Sequence, residues 1–218
     1  MNSRLHDAGK GNCIPMILCF LFHASSIALS EDQTNRSQDV VFPDDSLSFR
    51  LELAHAIDRG LNWFVSKQTE SGHWSMADHP AITAMAITAL LGDPLTVPTE
   101  KRHRQEAIDA GLDFISENAQ PDGGIYQGKN LMNYNTAVSL IALVAADRAE
   151  FDSTIRNARK FLVNMQLDFG EKGKRDTALD GGIGYGNRYP HSDLVNTLYA
   201  LEALHYSAKH LKKEGSDA

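Results

Sequence analysis

Cysteine is almost missing from this chain. Two occur among 218 residues, Cys13 and Cys19, and both lie close to the N-terminus. Beyond them there is no thiolate to act as a nucleophile, close a disulfide or bind zinc. A basic excess is missing too. With 21 Lys and Arg against 28 Asp and Glu, the formal charge is -7. Nothing therefore balances a run of phosphates, and nucleic acid is not an expected partner. The longest apolar stretch, Ile14 to Phe22, is too short for a membrane-spanning helix. No segment alternates with a strand period, and no G-x-S-x-G, Walker or H-E-x-x-H motif occurs.

What is present is globular in composition, 42% hydrophobic and 22% charged, with enough length for one sizeable core. The first thirty residues read as an export signal. Arg4 and Lys10 give a positive leader, Cys13 to Phe22 an apolar stretch, and Ala28-Leu29-Ser30 a small-residue cleavage site before Glu31. Cleavage there would remove both cysteines and leave no membrane span, so a periplasmic or secreted protein is expected. Leu18 before Cys19 argues against a lipid anchor. The expected organisation is a signal peptide over 1–30, a polar linker over 31–46, a helical domain over 47–213 and a tail over 214–218.

The domain repeats itself. Arg59-Gly60-Leu61-Asn62-Trp63-Phe64 with Gln68 and Gly72-His73-Trp74 is followed by Ala110-Gly111-Leu112-Asp113-Phe114-Ile115 with Gln120 and Gly124-Ile125-Tyr126. Ala158-Arg159-Lys160-Phe161-Leu162 follows, with Gln166 and Gly181-Gly182-Ile183. The anchors Trp63, Phe114 and Phe161 lie 51 and 47 residues apart, a period typical of stacked two-helix units. In each unit the first segment is amphipathic. The second, such as Val138-Ser139-Leu140-Ile141-Ala142-Leu143-Val144, is apolar on all sides and so must be buried. The pattern predicts an all-α array of three outer-then-inner hairpins. Trp63 is expected between the layers. Pro80 should open and Gly92 close the first inner helix, with Asn133 or Asn135 capping the second and Ser192 the third.

Arg59-Gly60-x-x-Trp63-Phe64-x-x-x-Gln68-x-x-x-Gly72-x-Trp74 resembles the QW motif of squalene and hopene cyclases, a repeat shared with protein prenyltransferase β-subunits. The second and third copies are degenerate, with Tyr126 in place of Trp and a long insertion from Leu167 to Leu179. The likeness covers about Ala54 to Leu204 and implies an α/α toroid. It also implies a structural role for Trp63, Gln68, Trp74, Phe114, Gln120, Tyr126, Phe161 and Gln166, with each Gln bonding at an outer-helix end. Three units make an arc where a closed toroid of this family uses about twice as many, so pairing of two copies is expected.

The chemistry of those enzymes is not carried over. The D-x-D-D acid of hopene cyclases has no match, Asp176-Thr177-Ala178-Leu179-Asp180 being the nearest approach. A mature chain without cysteine cannot build the prenyltransferase zinc site. Enzyme activity is left open, with Asp180 and Asp193 as the candidates a carboxylate mechanism would need. His73, Asp78, His79 and His191 are expected to be loop residues and caps, so neither metal nor cofactor is expected. Polar residues at the starts of the inner helices suggest a ligand mouth, with Tyr126, Asn133, Asn135, Tyr185, His191 and Asn196 around it. Two functions fit this pattern: an exported protein that binds an apolar or isoprenoid-type ligand, or a non-catalytic scaffold for protein-protein interaction in the cell envelope.

Overall fold

The computed structural model describes residues 47–93, 98–186 and 191–215, without side chains at 98–102 and 212–215. The expected signal peptide and linker lie outside the described residues. Contacts divide the chain after Ser46, and the described helices all belong to the second part, Leu47–Ala218.

The described residues are all-helical, with six α-helices and no strand. They are α1 (Leu47–Lys67), α2 (Pro80–Leu91), α3 (Pro98–Glu117), α4 (Met132–Ala146), α5 (Asp152–Asn164) and α6 (Leu194–Tyr206). A 3-10 turn, Ala149–Phe151, precedes α5, and a longer one, Ser207–Gly215, follows α6. α4 sits at the centre, packed against α2 on one side and α6 on the other. Its apolar circumference explains this, since Ala137, Leu140, Ala142 and Leu143 are all buried. The amphipathic helices α3 and α5 lie outside it and bury Ile108, Leu112 and Ile115, and Ile155, Ala158 and Leu162.

The pairing of helices differs from the expected hairpins. α3 packs chiefly on α2, and α5 on α4, so each outer helix leans on the inner helix before it in sequence. The reason is connection length. A short link joins α2 to α3 and α4 to α5, while long loops separate α1 from α2, α3 from α4 and α5 from α6. α1, with no helix of the described chain before it, packs chiefly on α3 and α2.

Three loops are closed in the same way. The Trp74 N–H donates to Thr83 Oγ1 at 3.1 Å, the Ile125 N–H to Thr136 at 2.9 Å and the Ile183 N–H to Thr197 at 3.0 Å. Each threonine lies in the first turn or so of an inner helix and ties the incoming chain to it. A pair of backbone bonds recurs as well. Thr69 N–H donates to His73 O and Gly72 N–H to Thr69 O; Gln120 and Gly123 repeat the pair with Gly124 and Gln120. Leu167 and Gly181 do so with Gly182 and Leu167 across the insertion.

Capping is partly as expected. Pro80 opens α2, Gly92 follows its end, and α5 begins at Asp152. Ser192 does not cap α6: Asp193 does, accepting the Asn196 N–H at 2.9 Å. α4 has no side-chain cap and starts after Leu131, whose φ is 51°. Asn133 and Asn135 lie inside its first turn and bond elsewhere.

Candidate functional site

Trp74 is buried, and its indole N–H donates to the Phe64 carbonyl at 2.7 Å. Gln68 donates from Nε2 to Gly72 O and to Ala107 O, both at 2.8 Å. One amide thus binds the end of α1 to its own loop and to the middle of α3. Gln166 makes the first of these bonds, to Gly181 O at 3.0 Å. Gln120 does not occupy the equivalent place. The backbone bonds align Gln120 with Thr69 and Leu167, which puts Ala119 in the position of Gln68 and Gln166. Gln120 instead donates to Asn118 O and Tyr126 O. In the same register Ile125, not Tyr126, matches Trp74.

Trp63 corrects the expectation of an interlayer anchor. It is 56% exposed and touches the ring of Phe64. Phe114 and Phe161, its counterparts, are buried, with Phe114 5.1 Å from the His73 ring and Phe161 5.9 Å from the Tyr126 ring. Those partners belong to the preceding loop in each case, and no described loop precedes α1.

The residues of the expected mouth are drawn into the fold. Asn135 accepts the Ala81 N–H at 3.3 Å and joins α4 to α2. Asn133 donates to Gly184 O at 2.8 Å, and its own N–H to Tyr185 O at 3.2 Å, joining α4 to the loop before α6. Asn196 donates to the Asp193 cap. His191 is exposed and lies against Ser192 O at 3.3 Å. Tyr126 is not with them, since its ring faces α5 and its hydroxyl donates to Asp122 at 2.6 Å. Burial and the Asp122 carboxylate push its phenol up to about 12. On the two helices that carry Asn133 and Asn196, Tyr134 and Tyr199 meet edge to face at 5.5 Å. Burial, with the neighbouring phenols of Tyr199 and Tyr185, raises the pKa of Tyr134. Two buried acceptors there, Asn133 Oδ1 and Asn196 Oδ1, have no hydrogen-bond partner among the described residues.

The candidate acids are also structural. Asp180 accepts from the Thr177 hydroxyl and from the N–H groups of Thr177, Phe169 and Asp176. These donors, led by the Thr177 hydroxyl, lower its pKa to about 2. A proton donor to an alkene needs the opposite tuning. The Asn196 N–H likewise lowers the pKa of Asp193. Among the described residues no group of three or more His, Cys, Asp or Glu side chains could hold a metal ion. No described helix is long and apolar enough to cross a membrane.

Sequence reasoning missed Arg104. Buried on α3, its guanidinium bonds Asp58 of α1, Asp93 after α2 and Asn62. Burial opposes the charge, but the two carboxylates outweigh it and raise the pKa. The charged spacing of α3 gave no sign that this one arginine faces inward.

No family model matches the chain.

Proposed function

We propose that this protein is a non-catalytic helical scaffold. It is a three-unit arc of the α/α-toroid kind, similar to squalene cyclases and protein prenyltransferases, exported with cleavage near Ser30, and it works by binding through apolar helix faces. The three recurring threonine bonds and the Gln68 and Gln166 bonds support the repeat reading. One observation carries the function. On α6, Leu194 is 85% exposed, Leu198 51% and Leu201 60%. Counted from Thr136 and Thr197, the last two stand where α4 has Ala137 and Leu140, both buried. An inner helix thus offers water a face that its neighbour buries, which is how an interaction surface looks.

A ligand-binding reading is favoured by a separate observation. The unpartnered Asn133 and Asn196 oxygens, on the two helices that also bring Tyr134 and Tyr199 together, suit an apolar molecule with a hydroxyl head. Native mass spectrometry of the protein isolated from its own compartment distinguishes the two. The scaffold reading expects a bound protein and no small molecule. A lipid or isoprenoid of defined mass at one per chain, with no protein bound, would replace it with the second.

A further inference from the structure

Inside the chain, one contact shows how successive helices fit. Ile87 of α2 lies so close to Gly111 of α3 that a Cβ there would come within 2.9 Å of Ile87 Cδ1. Trp74 crowds the same position at 3.0 Å. Beside this knob and hole is a second fit. Gly72, at φ 81°, meets the Ala110 carbonyl so closely that no side chain could stand there, and Gly123, at φ 92°, meets that of Asn157 in the same way.

Each half of this pattern recurs unfilled. Gly60 of α1 holds the place of Gly111, and no atom of the described residues lies within 4 Å of where its Cβ would be. Trp63, one turn on, is exposed where Phe114 is buried. On the other side, Leu201 of α6 holds the place of Ile87 and is exposed. Gly181, at φ 82°, holds the place of Gly72 and among the described residues meets Gln166 Nε2 alone, at 3.4 Å. After α6 the chain turns back as the 3-10 segment onto α5, α6 and α4, and leaves Leu198 and Leu201 exposed.

We propose that α6 receives α1 of a second copy of this chain, with Leu201 seated on Gly60 and Gly181 against the carbonyl of Arg59. This rests on the scaffold reading and names its partner. The two faces complement each other and neither complements itself. The contact is therefore heterologous and builds rings or open chains instead of a two-fold dimer. Polar contacts at its rim are not reproduced. Arg156 and Lys160 stand where Asp58 and Asn62 hold Arg104, and Leu53 stands where Arg104 does. The copies join through apolar surface, and added salt does not loosen them.

Sedimentation of the full chain over a dilution series tests this. Mass is expected to grow past the dimer as concentration rises, unchanged or enhanced by salt. Gly60→Leu fills the hole and Leu201→Asp puts a carboxylate on the knob. Each should weaken association about a hundredfold, since a buried charge or a steric clash replaces the fit. Both sites face outward in a single copy, so circular dichroism of the separated monomer should not change; its thermal midpoint should rise slightly with Gly60→Leu, the helix gain over glycine, and change little with Leu201→Asp. Mixing the two variants should restore a species with one copy of each, because each keeps the face the other has lost. A wild-type monomer at every concentration overturns the proposal, as does a mixture that fails to associate. A monomer that carries a different protein, lost on Leu201→Asp, overturns it too while leaving the scaffold reading intact.

Discussion

Two tryptophans eleven positions apart have opposite energetics because of what lies beside them. Trp74 fills the space between α1, α2 and α3 and bonds the Phe64 carbonyl. Trp74→Ala is expected to cost about 3–5 kcal/mol in denaturant unfolding, as large aromatic truncations in cores do. Trp63→Ala in the monomer should change stability by less than about 1 kcal/mol, as exposed positions do. The same experiment on Gln68→Ala should show a loss of about 1–3 kcal/mol, because the Gly72 carbonyl would lose its side-chain donor and the tie from α1 to Ala107 of α3 would be cut. Gln166→Ala, exposed and making one such bond, should cost less. Arg104→Ala takes the guanidinium from between Asp58 and Asp93 and should cost about 3–5 kcal/mol. Little of this ordering was legible in the sequence. Trp63, Phe114 and Phe161 form one series by spacing, but spacing does not say whether a neighbour is there to cover each. The extra residue before Gln120 slid it out of the register that Gln68 and Gln166 share.

At the scale of helices and loops, the apolar circumference of α4 and the amphipathic pattern of α5 were legible because burial dictates both. Which helices pair was not, since periodicity marks a buried face without naming what covers it. Glycine substitutions separate the two situations. Gly60→Ala should stabilise the monomer by up to about 1 kcal/mol, the ordinary helix gain over glycine. Gly111→Ala, in an equivalent place on α3, should destabilise by about 1–3 kcal/mol through overpacking against Ile87 and Trp74. The loop between α5 and α6 should respond to acid. Asp180 is held ionised well below its ordinary 3.8, at about 2. What its carboxylate contributes is therefore present above the ordinary value and fades as pH falls through about 2. Amide exchange at Phe169 and Thr177 should quicken over that window, and Asp180→Asn should remove the response. Unchanged exchange down to pH 2 would show that the carboxylate does not hold the loop.

For the molecule as a whole, the described helices have unequal support. Among the described residues α4 is flanked by α2, α5 and α6, whereas α1 packs chiefly on α3 and α2, and less extensively. In a stacked array, stability is roughly a sum over neighbours, so the ends open before the middle. Hydrogen exchange on the monomer should find α4 the slowest helix and α1 the fastest. Equal protection across all six would mean that the described chain unfolds as one block.

The paired backbone bonds that close a short turn after α1 and again after α3 also close the long excursion from Leu167 to Gly182. What fixes that excursion to the body is its neck, not its length. The cost of a longer flexible loop grows only with the logarithm of its length, about 0.6 kcal/mol for each doubling. The exposed tip around Lys172 and Gly173 is thus a natural port for foreign sequence. An epitope tag placed there should leave the thermal midpoint nearly untouched and give a handle for finding the protein in its own cell.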